Sequence, residues 1–157
     1  MGKEIERKFL VSDKSFESMA ISSTEIRQAY LSVSPDATVR IRIAGDNAWL
    51  TVKSRNHGAV RGEWEYAVPA SDAREMMDAC CGCTVSKWRY IVPYCGRDWE
   101  VDVFSGHLAG LIVAEIELQH ENEAIALPPF AGREVTGDTR YYNSCLSDPS
   151  SPLPPLV

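Results

Sequence analysis

Six pairs of like-charged side chains recur at positions i and i+2: Glu4/Glu6, Arg40/Arg42, Glu63/Glu65, Lys87/Arg89, Glu100/Asp102 and Glu115/Glu117. Successive side chains of a β-strand point to opposite faces, so each pair would share one face at a spacing of roughly 6.5–7 Å. At that distance and an effective dielectric near 20, each repulsion costs about 2 kcal/mol. Six such pairs in one enclosed space approach the whole stability of a domain, about 5–15 kcal/mol, so the pattern asks for polyvalent counter-ions. Lys8 continues the face begun by Glu4 and Glu6, and Lys53 stands alone on another strand. Lys8, Arg40, Arg42, Lys53, Lys87 and Arg89 suit a chain of phosphates that no single base could neutralise, the arginines adding fork-shaped donors. The carboxylates cannot bind phosphate, but oxygen ligands suit Mg²⁺ or Mn²⁺, which bridges to phosphate. Bases and acids together specify a metal-polyphosphate complex, and the reaction natural to it is phosphoryl transfer to water.

The segments carrying these pairs read as strands. Lys3 to Val11, Thr24 to Val33, Ala37 to Ala44, Ala48 to Arg55, Val60 to Val68, Thr84 to Pro93, Asp98 to Phe104 and Leu111 to Leu118 alternate or are rich in β-branched and aromatic residues. Gly45-Asp46-Asn47 and Cys95-Gly96-Arg97 supply hairpin turns. The opposite strand faces are apolar, with Ile41, Trp64, Trp88, Trp99 and Ile116, and must be covered. Helical character over Pro69 to Cys81, and a short helix or loop over Ser12 to Ser22, offer the cover. The charged faces then turn inward. The expected fold is α+β: an eight-stranded antiparallel β-barrel, closed on itself as a polar tunnel, with helices packed outside.

At 157 residues the chain is read as one domain over 1–146 followed by a Ser/Pro-rich tail over 147–157, disordered or polyproline-like. A net charge of −6 disfavours a nonspecific nucleic-acid or membrane-surface partner, and any anion site must be a local concentration of base. No apolar run nears the length of a membrane span and no signal peptide opens the chain, so a cytoplasmic protein is expected. The five cysteines, three of them crowded at Cys80, Cys81 and Cys83, lack zinc-site spacing and read as reduced thiols.

The opening Glu4-Ile5-Glu6-Arg7-Lys8-Phe9-Leu10-Val11 resembles the E-x-E-x-K signature of the CYTH superfamily, the triphosphate tunnel metalloenzymes. Arg40-x-Arg42, Thr51-Val52-Lys53-Ser54, Glu63-x-Glu65, Lys87-x-Arg89-Tyr90, Glu100-Val101-Asp102, Glu115-x-Glu117 and Glu134-Val135-Thr136 with Arg140-Tyr141 continue the likeness in order. The resemblance implies hydrolysis or rearrangement of small-molecule triphosphates with Mg²⁺ or Mn²⁺. It implies Glu4, Glu6, Glu115 and Glu117 as metal ligands and the six bases as phosphate ligands. Lys8, Glu63, Glu65 and Asp102 take catalytic roles, the three carboxylates positioning a second metal or the attacking water, and the segment from Asp138 to Leu146 closes one tunnel end. The compact start is similar to bacterial inorganic triphosphatases, which implies cleavage of tripolyphosphate to pyrophosphate and phosphate. A class IV adenylate cyclase, with Trp49 as a stacking surface, a thiamine triphosphatase and a noncatalytic polyphosphate-binding module are the alternatives, and a homodimer is left open.

Overall fold

The structure is a computed structural model that describes residues 2–80, 82 and 84–157. Cys81 and Cys83 of the cysteine cluster, and the side chain of Cys80, lie outside the described residues. Among the described residues nine strands form: β1 (Gly2–Val11), β2 (Ser22–Ser34), β3 (Ala37–Ala44), β4 (Asn47–Ser54), β5 (Val60–Val68), β6 (Thr84–Tyr94), β7 (Arg97–Phe104), β8 (Ile112–Glu117) and β9 (Ala131–Glu134). Their order is β5-β4-β3-β2-β6-β7-β8-β1-β9, and β5 also pairs with β1. That pairing closes β1 to β8 into an antiparallel barrel, as the alternating pattern predicts. Closure pairs the two ends of the sheet and gives the enclosed face to the charged residues.

Strand β1 is the seam. Its first half pairs with β5 from Gly2 opposite Glu63 to Ile5 opposite Val60, while Glu6 to Leu10 pair with β8. Beyond the point where β5 departs, β9 takes up the free edge of β1 at Phe9 and Val11, an addition outside the closed ring. Tight hairpins hold the register: Gly45 has φ +60° between β3 and β4, and Cys95 and Gly96, at φ +49° and +76°, join β6 to β7. Positive φ at the first central position of the β3–β4 turn, and at both in the β6–β7 turn, matches the right-handed twist of the flanking strands.

The outward faces are covered unevenly. Helix α1 is a single turn (Phe16–Met19), with Phe16 wedged against Tyr90 and Phe130. Phe9, Trp99 and Ile116 join that aromatic core. Helix α2 (Ala70–Cys80) lays Ala73 and Met77 on Ala29, Ile41 and Ala48 of β2, β3 and β4. Of the apolar residues expected under helices, Ile41, Trp99 and Ile116 are buried and Trp64 is half-buried, but Trp88 is 43% exposed, although α1 packs on the same face of β6 at Tyr90. Among the described residues no helix is long and apolar enough to cross a membrane.

After β9 the chain makes a 3-10 turn at Thr139–Tyr141, with the Asp138 carboxylate accepting from the Arg140 amide, and a short helix α3 (Asn143–Leu146). The remaining segment has neither helix nor strand, yet it is not detached: Pro154 is buried and Tyr141 Oη donates to the Pro155 carbonyl at 2.6 Å.

Candidate active site

Alternation along the closed barrel brings side chains from separate strands into one tunnel. A cavity of about 370 Å³ is lined by Glu4, Glu6, Arg40, Arg42, Lys53, Glu63, Glu65, Arg89, Asp98, Glu100, Glu115, Glu117 and Asn143. It continues into a narrow recess of about 50 Å³ that also touches Lys8, Tyr30, Asn56, Arg61, Thr136 and Tyr142. The wide mouth is rich in carboxylate, whereas the recess gathers Lys8, Arg40, Lys53 and Arg61 about the lone carboxylate Glu6. Segment Thr136 to Ser144 bounds the recess, consistent with the closing role expected for the stretch from Asp138 to Leu146.

Most like-charged pairs are compensated by their neighbours. Lys53 Nζ lies 2.9 Å from Glu4 and 3.3 Å from Glu63. Lys8 Nζ is 3.2 Å from Glu115, and Arg40 reaches Glu65 at 3.6 Å and donates to Thr51 Oγ1 at 3.2 Å. Arg89 meets Asp102 through two donors at 2.7 and 2.8 Å and Glu100 at 2.5 Å. The need for outside counter-ions, inferred strand by strand, is therefore smaller than expected. Coulomb's law applied to a single strand omits the opposite charge that the adjacent strand places in the gap.

Three groups fall outside this compensation. Glu6 stands directly opposite Glu117 in the β1–β8 register, and neither carboxylate has a basic partner within ion-pair distance among the described residues. Burial, then Glu115 and Glu4, push the Glu6 carboxyl up to about 8. On the other wall Arg42 donates to Gln28 Oε1 at 3.2 Å and meets no carboxylate within that distance among the described residues. Burial, then Arg40 and Arg89, lower its guanidinium to about 10. By contrast Glu115, which burial alone would raise, is held at about 2 chiefly by Lys8. Glu4 is held below its ordinary value by Lys53 against the same opposition.

Two expected lining residues sit deeper than predicted. Lys87 and Asp102 are 0% and 1% exposed, and border neither the cavity nor the recess. Lys87 Nζ is 2.6 Å from Asp102 and 3.1 Å from Asn143 Oδ1. With both Asp102 oxygens engaged by Lys87 and Arg89, this carboxylate anchors the wall and does not face the lumen where a water would be positioned. Burial, opposed by Asp102 but reinforced by Arg89 and Arg42, brings the Lys87 ammonium down to about 7. The other expected site residues, from Glu4 to Glu117, line the cavity or the recess.

Sequence reasoning missed Arg61, Gln28, Tyr30 and Asn143. Arg61 had a signal, since it precedes Glu63 by two on the same face of β5. Gln28 and Tyr30 make an uncharged wall on β2, where no charged pair marks the inward face. Among the described residues no three acidic, histidine or cysteine side chains are gathered into a ready metal cage. The donor set still fits a hard cation: two uncompensated carboxylates, Glu6 and Glu117, with Glu4 and Glu115 beside them at i−2 on their own strands, all oxygen.

The sequence profile of the CYTH domain matches residues 2–143. A protein of Acetivibrio thermocellus named inorganic triphosphatase is 45% identical over 147 residues, covering 93% of this chain and 94% of its own. Another of that name from Nitrosomonas europaea is 38% identical over 149 residues, covering 92% and 96%. The crystal structure of an inorganic triphosphatase superposes with a TM-score of 0.65 at 35% identity, covering 95% of this chain and 99% of the other.

Proposed function

Because the chain belongs to the CYTH domain family, we propose that it is a metal-dependent triphosphatase that cleaves inorganic tripolyphosphate to pyrophosphate and phosphate. The observation that carries this reading is the mismatch left in an otherwise balanced tunnel. Among the described residues Glu6 and Glu117 have no cation within ion-pair distance on one wall and Arg42 no anion on another, which is the complement of a metal-polyphosphate complex. Mg²⁺ or Mn²⁺ would be held by Glu6 and Glu117 with help from Glu4 and Glu115, and would supply charge neutralisation of the phosphates when bound.

The chain's own groups do the rest. Arg40, Arg42, Lys53 and Arg89, with Lys8 and Arg61 in the recess, offer the phosphate oxygens charge-assisted hydrogen bonds. Those of the wide cavity, fixed before the substrate arrives, stabilise charge that spreads over the phosphoryl oxygens in the transition state, while Lys8 and Arg61 in the recess hold the substrate alike in ground and transition states. Glu65 is oriented by Thr51 Oγ1 at 2.9 Å and stands near the mouth, 38% exposed, as the carboxylate best placed to orient an attacking water; Glu63 beside it is tied to Lys53. Lys87 and Asp102 act from beneath, holding Arg89 in line. A cytoplasmic setting belongs to the proposal, since Cys95 and Cys145 are free thiols.

One observation favours an organic triphosphate as a second reading. Trp49, half-buried, lines a hollow of about 260 Å³ with Thr24, Ile26, Ile91, Arg42 and Arg89, where a flat ring could stack beside the phosphate lane. Phosphate release from tripolyphosphate, ATP and thiamine triphosphate, measured with Mg²⁺ and with Mn²⁺ alongside cyclic AMP formation, separates the readings. Tripolyphosphate is expected to be fastest; rapid cyclic AMP formation with inert tripolyphosphate would reverse the assignment. Glu6→Gln is expected to lose turnover and retain anion binding, and unchanged hydrolysis in that variant would remove Glu6 from the metal site.

A further inference from the structure

The segment after α3 reaches back to the narrow end of the tunnel through one buried residue. Tyr141 is fully buried, its hydroxyl donating to the Pro155 carbonyl at 2.6 Å and accepting from Arg133 Nη2 at 3.2 Å. Arg133 Nη2 also lies 3.3 Å from the Val157 carbonyl, and Leu156 packs over Gly110. Residues 148–157 thus form a strap fastened at several points, and they lie beyond the family-matched stretch that ends at residue 143. At its other end Tyr141 faces the site: its backbone carbonyl accepts from Lys8 Nζ at 3.1 Å. The next two residues, Tyr142 and Asn143, line the recess, with the Tyr142 ring 5.9 Å from Lys8 Nζ.

We infer that Tyr141, fastened by the C-terminal strap, is a positioning residue that aims Lys8 at the phosphate lane. This deepens the triphosphatase reading and rests on it. An ammonium has three donors. Glu115 at 3.2 Å and the Tyr141 carbonyl at 3.1 Å direct two of them, which leaves the third for a phosphate oxygen. If the strap releases Tyr141, its carbonyl drifts, Lys8 follows Glu115 alone, and the lane loses one oriented charge-assisted hydrogen bond. The recess would keep its charge and lose its geometry.

The test compares the wild type with Tyr141→Phe, with a chain truncated after Ser150, and with both changes combined. Tyr141→Phe keeps the buried ring and the backbone carbonyl and removes only the fastening hydroxyl, so it answers the question even where the truncated chain folds poorly. Each single change is expected to raise KM for tripolyphosphate about tenfold with kcat within about twofold, because a phosphate contact made equally in ground and transition states is removed. The double variant is expected to be no worse than the worse single one, since both cut the same link. Lower kcat at unchanged KM, the mark of lost folded protein, or additive losses would overturn the inference. Hydrogen exchange over residues 139–147 gives a reading independent of turnover. It should quicken in both single variants while β1 and β8 stay protected, and unchanged exchange would also overturn the inference. A wild type that binds tripolyphosphate without cleaving it would defeat the proposed function alone, since affinity by calorimetry and exchange would still decide the role of the strap.

Discussion

The tunnel contains two populations of charge. Lys87, Arg89 and Asp102 are locked together across β6 and β7, with donor–acceptor distances of 2.6 to 2.8 Å, and two of the three are out of contact with water. Glu6, Glu117 and Arg42 face the lumen with no opposite charge within ion-pair distance among the described residues. Similar residue types at the same i, i+2 spacing thus do different work. A compensated group behaves as scaffold, because its field is spent on its neighbour. An uncompensated group is costly in the empty tunnel and becomes favourable only when a ligand of opposite charge arrives. The stability of this barrel and its affinity for a ligand should therefore respond to different substitutions.

The largest separation is expected at Asp102. Asp102→Ala takes the two-pronged carboxylate partner from the Arg89 guanidinium and the acceptor at 2.6 Å from Lys87, and removing one partner from such a buried pair costs about 3–5 kcal/mol. Urea unfolding at neutral pH should show a loss of that size. A loss under about 1 kcal/mol, at the level of an exposed ion pair, would break the distinction between scaffold and ligand-facing charge.

The six doublets were legible because strand alternation is a property of the backbone and needs no knowledge of the partner strand. That periodicity predicts β3 and β5 with the bounds observed, and predicts the inward face of every charged strand. It is blind to which opposite charge will lie across the gap, so Asp102 reads like Glu63 until the barrel closes and Lys87 and Arg89 enclose it. It is equally blind on β2, where Gln28 and Tyr30 form tunnel wall without charge. Asn143 comes from a helix of one turn, too short to carry a period. The link from the strap to Tyr141 is a tyrosine hydroxyl finding a carbonyl fourteen residues on, an event that composition does not announce.

A second test sharpens the scaffold half of the comparison through pH. Burial, against Asp102 and with Arg89 and Arg42, lowers Lys87 to about 7 in the folded protein, whereas an unfolded lysine titrates near 10.4. Between these values the unfolded chain binds more protons than the folded one, so this residue makes stability rise with pH across the window, by at most about 1.4 kcal/mol per pH unit. Lys87→Met cannot titrate. Stability of wild type minus that of Lys87→Met should climb from pH 7 to pH 9, and a difference that stays level would show the lysine to be charged throughout.

The smallest effect belongs to the ligand-facing half and has the opposite sign. Glu117 lies directly across from Glu6 in the β1–β8 ladder, and like charges at opposed positions destabilise a sheet by a few tenths to about 1 kcal/mol. Glu117→Gln removes that repulsion and keeps the side-chain length. At about pH 9, above the value of about 8 to which the Glu6 carboxyl is pushed, the metal-free variant should therefore unfold at slightly higher urea than the wild type, while its turnover of tripolyphosphate falls and its demand for divalent cation rises. Gaining stability as activity is lost is what an uncompensated carboxylate kept for a cation predicts. A Glu117→Gln protein that is less stable in the absence of metal would mean that Glu117 already has a favourable partner, and would move it into the same class as Asp102.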